Sequence, residues 1–238
     1  MSVLNVQSIF RSLDGEVNGY AGAGQLSTFI RLSGCNLRCQ YCDSVYAQDS
    51  AHASLGCMSV EEILQELDGF PGRKVTLTGG EPLTQAPQVV ELLGQLLRLK
   101  YEVTVETNGS VSLRKIGLWC FPRTGDGSVR FVVDYKLPSS GMEDYMDKTI
   151  WHDLTEYDVV KFVVSDDCDF DRAISIIRKY SLCKASMFFS PAINSLAEHP
   201  MEWPAALVDR LIKEHDLPRI NYNLQIHKVL WPNATRER

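Results

Sequence analysis

Six short apolar runs, rich in β-branched and aromatic residues, set the rhythm of this chain: Ser27–Leu32, Lys74–Thr78, Glu102–Glu106, Arg130–Asp134, Val159–Val164 and Ala185–Ser190. Each has the length and composition of a strand. Helical patterns lie between many of them. Ser59-Val60-Glu61-Glu62 has capping-box spacing before Ile63, Leu64 and Leu67. Val89, Val90, Leu92, Leu93, Leu96 and Leu97 fall at helical spacing after Pro87. So do Phe170, Ala173, Ile174 and Ile177 in 169–180, and Trp203, Leu207, Leu211 and Ile212 in 202–215. Strand alternating with helix predicts βα units around a parallel sheet. Six units are fewer than the eight of a closed barrel, and 238 residues are slightly short for one. The expectation is an α/β single domain over 1–238, either a partial (β/α)6 TIM-like barrel or an open curved sheet. In both forms chemistry belongs at the C-terminal ends of the strands.

That rule gives three loops a shared address. The loop after Leu32 carries cysteines, the loop after Thr78 is Gly79-Gly80-Glu81-Pro82, and the strand ending at Glu106 runs into Thr107-Asn108-Gly109. Charge narrows the partners. Thirty acidic against 24 basic side chains give a net charge of −6. This offers no global field for a phosphate backbone, so nucleic acid is not expected. A small anionic ligand needs only one or two local cations. No apolar run reaches the roughly 18 residues of a membrane span. Met1–Phe10 lacks a basic stretch followed by an apolar one, so no secretory signal is read. A cytoplasmic setting away from membranes is expected.

Seven cysteines cannot all pair within one chain. In a reducing compartment a tight cluster means metal or redox chemistry more often than a crosslink. Cys57, Cys120, Cys168 and Cys183 are scattered singly, without the spacing of a second cluster. Cys35, Cys39 and Cys42 form C-x3-C-x2-C and bring three thiolates to one loop. Structural zinc wants four ligands, and Cys57 or His52 is the candidate fourth. A [4Fe–4S] cube held by three thiolates keeps one iron open. Spacing alone leaves both readings standing.

With Tyr41 just before the third cysteine, the spacing resembles the cluster motif of the radical S-adenosylmethionine (SAM) enzymes. Gly79-Gly80-Glu81-Pro82 is identical to that superfamily's second motif and follows the expected second strand after the cluster. Further segments resemble the 7-carboxy-7-deazaguanine synthases. They are Phe10-Arg11-Ser12-Leu13-Asp14-Gly15-Glu16-Val17, where Asp14 and Val17 replace the family's usual Gln and Gly, and Phe29 to Leu37. Cys42-Asp43-Ser44, Glu106-Thr107-Asn108-Gly109, Asp134 to Gly141 and Gln225-Ile226-His227-Lys228 complete the set. The resemblance runs from Phe10 to about Trp231.

The resemblance implies a partial barrel of the radical SAM type. It implies an N-terminal substrate-binding segment (1–26) and a C-terminal extension (about 216–238) packing at the active site. The implied enzyme is a homodimeric carbon–nitrogen lyase with a flavodoxin-like or other low-potential electron donor. It contracts 6-carboxy-5,6,7,8-tetrahydropterin to 7-carboxy-7-deazaguanine with loss of ammonia, on the route to queuosine and other 7-deazapurines. One [4Fe–4S] cluster would sit on Cys35, Cys39 and Cys42, and Mg²⁺ at Ser44. SAM would meet Tyr41, Gly79, Gly80, Glu81, Glu106, Asn108, Lys136 and Ser165, with the Gly-Gly-Glu-Pro backbone pairing with its amino group. The substrate would meet Leu13, Asp14, Gly15, Glu16, Arg31, Thr78, Gln225 and His227. No protein acid or base is assigned, because a deoxyadenosyl radical made from SAM takes the hydrogen atom.

The residue types suit these tasks. A carboxylate such as Glu16 accepts two N–H bonds from a pterin's amidine edge, and Arg31 can clamp a carboxylate bidentately. Mg²⁺ favours oxygen ligands such as the Ser44 hydroxyl. Asp14 adds negative charge near an anionic ligand. Two competing readings remain. A radical SAM activase, which puts a glycyl radical on a partner protein, shares the three-cysteine loop. It is not expected to carry Arg31 with the Asp14-Gly15-Glu16 segment and the Gln225–Lys228 tail. A zinc-stapled binding module would hold neither iron nor sulfide.

Overall fold

The structure, a computed structural model, describes residues 3–14, 23–193, 202–214, 217 and 220–231. In chain order its strands and helices are β1 (Val3–Asp14), β2 (Gln25–Leu32), β3 (Gly56–Ser59), α1 (Val60–Leu67), β4 (Lys74–Gly79), α2 (Ala86–Arg98) and β5 (Glu102–Thr107). They continue as β6 (Ser128–Asp134), β7 (Val159–Val164), α3 (Asp167–Lys179), β8 (Ser186–Pro191), α4 (Glu202–Leu211), β9 (Ile220–Tyr222) and α5 (Ile226–Leu230). The strands form one nine-stranded sheet in the order β3-β1-β2-β4-β5-β6-β7-β8-β9. Every pairing from β2 through β9 is parallel. β1 joins β2 and β3 antiparallel. Among the described strands β3 and β9 are edges, so the sheet is open and not a closed barrel.

All six strand-like runs of the sequence lie in this sheet as β2, β4, β5, β6, β7 and β8. They are buried over most of their length because helices or covering loops lie against them. Ile30, Leu77, Val105, Phe131, Phe162 and Phe189 are fully buried. The Ser59 capping box forms as expected. Glu62 N–H donates to Ser59 Oγ at 3.2 Å, and Ser59 N–H donates to Glu62 Oε2 at 2.7 Å. No described helix is long and apolar enough to cross a membrane.

Two connections depart from the βα rhythm. β5 to β6 and β6 to β7 carry only short 3₁₀ turns, at Leu118–Cys120, Pro138–Ser140, Glu143–Tyr145 and Ile150–His152. Aromatic packing replaces a helix over the second of these connections. Trp151 stacks on Tyr180 at 4.9 Å and lies 5.2 Å from Tyr135, ring centre to ring centre. Segment 139–158, which the sequence does not orient, is thereby laid against α3 and β6.

Candidate active site

The C-terminal ends of β2, β4 and β5 meet, and two glycines set how closely. A Cβ on Gly79, which has φ +147°, would stand 2.1 Å from Leu32 O. One on Gly80 would stand 2.3 Å from Gly34 O and 2.6 Å from Ala47 O. Only glycine fits this backbone-to-backbone contact. Gly80 N–H then donates to Leu32 O at 3.0 Å, and Glu81 N–H to Gly34 O at 2.7 Å. The cysteine loop is pinned on its other side as well. Gly34 N–H reaches Ala47 O at 2.9 Å, and Cys35 N–H reaches Gln48 O at 3.0 Å.

Glu81 is fully buried and ties this loop to β5. Its Oε1 accepts from Leu83 N–H at 3.0 Å and Thr107 Oγ1 at 2.8 Å, and its Oε2 from Asn108 N–H at 2.6 Å. Burial pushes the Glu81 carboxyl up against those bonds. Asn108 reaches onward to the cysteine loop, donating to Asn36 Oδ1 at 3.1 Å and Cys35 Sγ at 3.8 Å. On the same face Thr78 Oγ1 donates to Glu106 Oε2 at 2.6 Å.

A band of alternating charge borders the cysteines. Lys136 Nζ lies 2.9 Å from Asp134 Oδ2, Lys161 Nζ lies 3.5 Å from the same oxygen, and the Lys136 ammonium stands 5.8 Å over the Tyr41 ring. Burial works against the Lys136 charge, but Asp134 and the Cys39 sulfur hold its pKa above the ordinary value. Asp43, beside Cys42, lies 3.4 Å from Lys228 Nζ on α5 and accepts from Ser44 Oγ at 3.2 Å. Burial opposes the Asp43 charge, yet Lys228, His227 and Lys161 pull its pKa down to about 2. Lys228 Nζ also donates to Ile193 O at 3.0 Å, so α5 is strapped between β8's exit and the cysteine loop.

Arg31 points into the same region from β2. Its guanidinium lies 5.9 Å from the ring centres of both Phe10 and Tyr46, and Nη1 is 3.5 Å from Ser44 Oγ. Its Nε is buried and has no hydrogen-bond partner among the described residues. A planar guanidinium has the fork geometry that suits a carboxylate or another anion.

The segment after β6 covers the cysteine loop. Gln40 N–H donates to Ser140 O at 3.1 Å, and Arg38 N–H lies 3.4 Å from Met142 Sδ. Buried Asp169 fixes that segment, accepting from Ser139 N–H at 3.0 Å, from Ser139 Oγ, and from Ser165 N–H at 3.0 Å.

These contacts bring together most of the residues read from the sequence. Cys35, Cys39, Cys42, Tyr41, Ser44, Arg31, Gly79, Gly80, Glu81, Asn108 and Lys136 share one end of the sheet through the contacts above. Thr78 and Glu106 stand at the ends of β4 and β5. Gln225 stands at the N-cap position of α5 and is buried, and His227 lies in α5. Leu13 faces Leu26 across β1 and β2. Asp14 is buried and accepts from Thr76 Oγ1 at 3.2 Å. Gly15 and Glu16 lie outside the described residues. Ser165 is tied through its N–H to Asp169. Sequence reasoning missed Lys161, Lys228 and Asp169 as members of the site. One signal was available, since Lys161 is a lone cation inside the apolar run Val159–Val164.

The donor set fits an iron–sulfur cube. Three cysteines on one loop are free of disulfides and partly buried. Burial raises the Cys35 and Cys39 thiols, and the neighbouring Cys42 raises both further. Among the described residues no three His, Cys, Asp or Glu side chains are gathered as a single-ion site.

Comparison with known proteins agrees with this picture. The family model of the radical SAM superfamily matches residues 29–118. The chain is 38% identical over 227 residues to a 7-carboxy-7-deazaguanine synthase of Clostridium acetobutylicum, covering 94% of this chain and 95% of that one. It is 33% identical to a 7-carboxy-7-deazaguanine synthase of Koribacter versatilis, covering 98% and 99%. Among solved structures, that of QueE from Escherichia coli superposes with a TM-score of 0.68 over 93% of each chain at 18% identity, which is a likeness of fold.

Proposed function

We propose that this chain, which belongs to the 7-carboxy-7-deazaguanine synthase family of radical SAM enzymes, converts 6-carboxy-5,6,7,8-tetrahydropterin to 7-carboxy-7-deazaguanine with loss of ammonia. The observation that carries the substrate assignment is Arg31. Its guanidinium, with a buried and unpartnered Nε, lies beside Ser44 at the rim of the cysteine loop. A substrate carboxylate is the anion it would clamp.

Cys35, Cys39 and Cys42 would hold the [4Fe–4S] cluster. When bound, the cluster and SAM supply a carbon-centred radical that takes a hydrogen atom from substrate. The protein's share is orientation. The N–H groups of Gly80 and Glu81 are committed to Leu32 O at the end of β2 and to Gly34 O in the cysteine loop, and the carbonyl oxygens of the two glycines would suit an ammonium group. Lys136 brings a cation to the cluster's edge, already balanced by Asp134. Ser44 and Asp43 offer oxygens to a hard cation such as Mg²⁺. Glu16 would read the pterin's amidine edge. A single domain with its C-terminal extension at the site, a homodimeric assembly and a low-potential donor such as flavodoxin belong to the same proposal.

The test is anaerobic. Protein reconstituted with iron and sulfide is given dithionite, SAM, Mg²⁺ and the carboxytetrahydropterin, and products are followed by mass spectrometry. A product lighter by one ammonia, with SAM not consumed in proportion, supports the reading. Formation of 5′-deoxyadenosine with the pterin untouched overturns the substrate.

A further inference from the structure

The side chain of Asn108 has no hydrogen-bonding capacity left for a ligand. A carboxamide offers two N–H donors and two acceptor lone pairs. The Asn108 Oδ1 accepts from Ser110 N–H at 2.9 Å and Ser110 Oγ at 2.6 Å. Nδ2 donates to Asn36 Oδ1 at 3.1 Å and Cys35 Sγ at 3.8 Å. All four places are taken. The orientation of the amide is fixed by a group that can only donate. Ser110 N–H requires Oδ1 on its side, which turns Nδ2 toward the sulfur. Asn36 closes the ring by donating its own Nδ2 to Ser110 Oγ at 2.8 Å. Asn108 is itself buried, and its N–H is held by Glu81. The Cys35 sulfur also accepts from Leu37 N–H at 3.4 Å.

We propose that Asn108 is a positioning residue that sets the reduction potential of the cluster through the Cys35 sulfur, in place of the contact with SAM that family resemblance assigns to it. The inference rests on reading Cys35, Cys39 and Cys42 as the cluster's ligands. Reduction adds one electron to the cluster and its thiolates. An N–H dipole aimed at a ligand sulfur stabilises the added charge, and hydrogen bonds to sulfur are a known lever on cluster potential. Asn108 would therefore make the cluster easier to reduce.

The experiment is a redox titration of the reconstituted full chain, without SAM, followed by electron paramagnetic resonance of the reduced cluster. Asn108→Ala deletes the donor and should move the midpoint to a more negative potential. Asn108→Asp keeps the shape and the acceptor for Ser110 but replaces the donor by oxygen, and should move it further in the same direction. If the alanine variant does not fold, the aspartate variant carries the test. SAM affinity of both variants, measured on the oxidised cluster by calorimetry, should stay that of the wild type. Midpoints equal to wild type, or lost SAM affinity with an unchanged midpoint, would overturn the proposal. Failure of the wild-type protein to take up iron and sulfide at all overturns instead the cluster reading beneath it, and the two failures are told apart by metal analysis.

Discussion

Buried carboxylates hold both ends of the sheet, and their surroundings differ. At the N-terminal ends, Asp158 precedes β7 and meets Arg123, which precedes β6. Arg123 Nε lies 3.0 and 3.1 Å from the two carboxylate oxygens, and Phe131 N–H, Thr155 N–H and Thr155 Oγ1 donate to the same group. Both side chains are almost wholly out of solvent, and Arg123 lies 4.6 Å over the Phe131 ring. At the C-terminal ends, Glu81 is equally buried, but its contacts are the neutral donors of Leu83, Thr107 and Asn108. One end cancels charge with charge in direct contact. The other holds Glu81 with dipoles and sets its ion pairs apart from it, Lys136 and Lys161 on Asp134 and Lys228 on Asp43, with Arg31 beside Ser44. Charge at the C-terminal end is thus kept off the acid that ties β4 to β5.

The comparison breaks most visibly at Asp158. Asp158→Ala leaves Arg123 buried without its counter-charge and strips three further donors, and should cost about 3–5 kcal/mol of unfolding free energy in urea titration. Glu81→Gln should cost less, about 1–3 kcal/mol, because it leaves hydrogen-bonding groups mismatched and no orphaned charge. It should also loosen the grip of β5 on the cysteine loop, read as faster loss of iron from the reconstituted protein. The pH dependence distinguishes it further. Burial raises the folded pKa of Glu81. The protonated form thus favours folding below the ordinary carboxylate range, and that contribution fades as pH rises through the raised value. Glu81→Gln should remove this fade, and a variant whose stability keeps the wild-type pH profile would show that the acid is not held as described.

The parallel sheet was legible because β-branched runs at strand length are a local signal. So were α1 to α4, through capping and apolar spacing. β1 was not, because its register shifts between Val6 and Ser8 and buries Gln7, which alternation with Leu4 and Val6 would put outside. Three-residue β9 is too short to carry a pattern. The site's motifs were legible as contiguous strings. What joins them was not. Asn108 meets Asn36 across 72 residues, and Arg123 meets Asp158 across 35. Such pairings depend on which strand ends the topology brings together, and neither residue differs locally from an ordinary polar one.

Lys228 offers a gentler test at the site end. Its pair with half-exposed Asp43 should be worth only about 0.2–1 kcal/mol, and Lys228→Met should unseat α5 without unfolding the sheet. Faster amide hydrogen exchange in 226–231 with unchanged exchange in β4 and β5 is the expected result. The sign of the pH effect follows from Asp43. Its pKa, drawn down from 3.8 to about 2, contributes stability that is complete above the ordinary value and is lost as pH falls toward the lowered one. Removing Lys228 should move that loss to higher pH. Exchange in α5 indifferent to both the substitution and acid would detach the C-terminal helix from the cysteine loop.

The smallest expected change in stability comes from Arg31, and that is its interest. The guanidinium sits between Phe10 and Tyr46 with Nε buried and unanswered, so the fold has already borne the cost of desolvating it. Arg31→Met keeps a flexible apolar stem against the two rings and removes the unsatisfied donor. Unfolding free energy should move by less than about 0.5 kcal/mol. Cluster content and SAM cleavage without substrate should be those of the wild type, while binding of the carboxylated pterin is lost. Were Arg31 a structural cation like Arg123, the substitution would cost stability and spare the ligand. The two arginines thus separate the ends of the sheet by opposite responses, one measured in urea and the other in substrate binding.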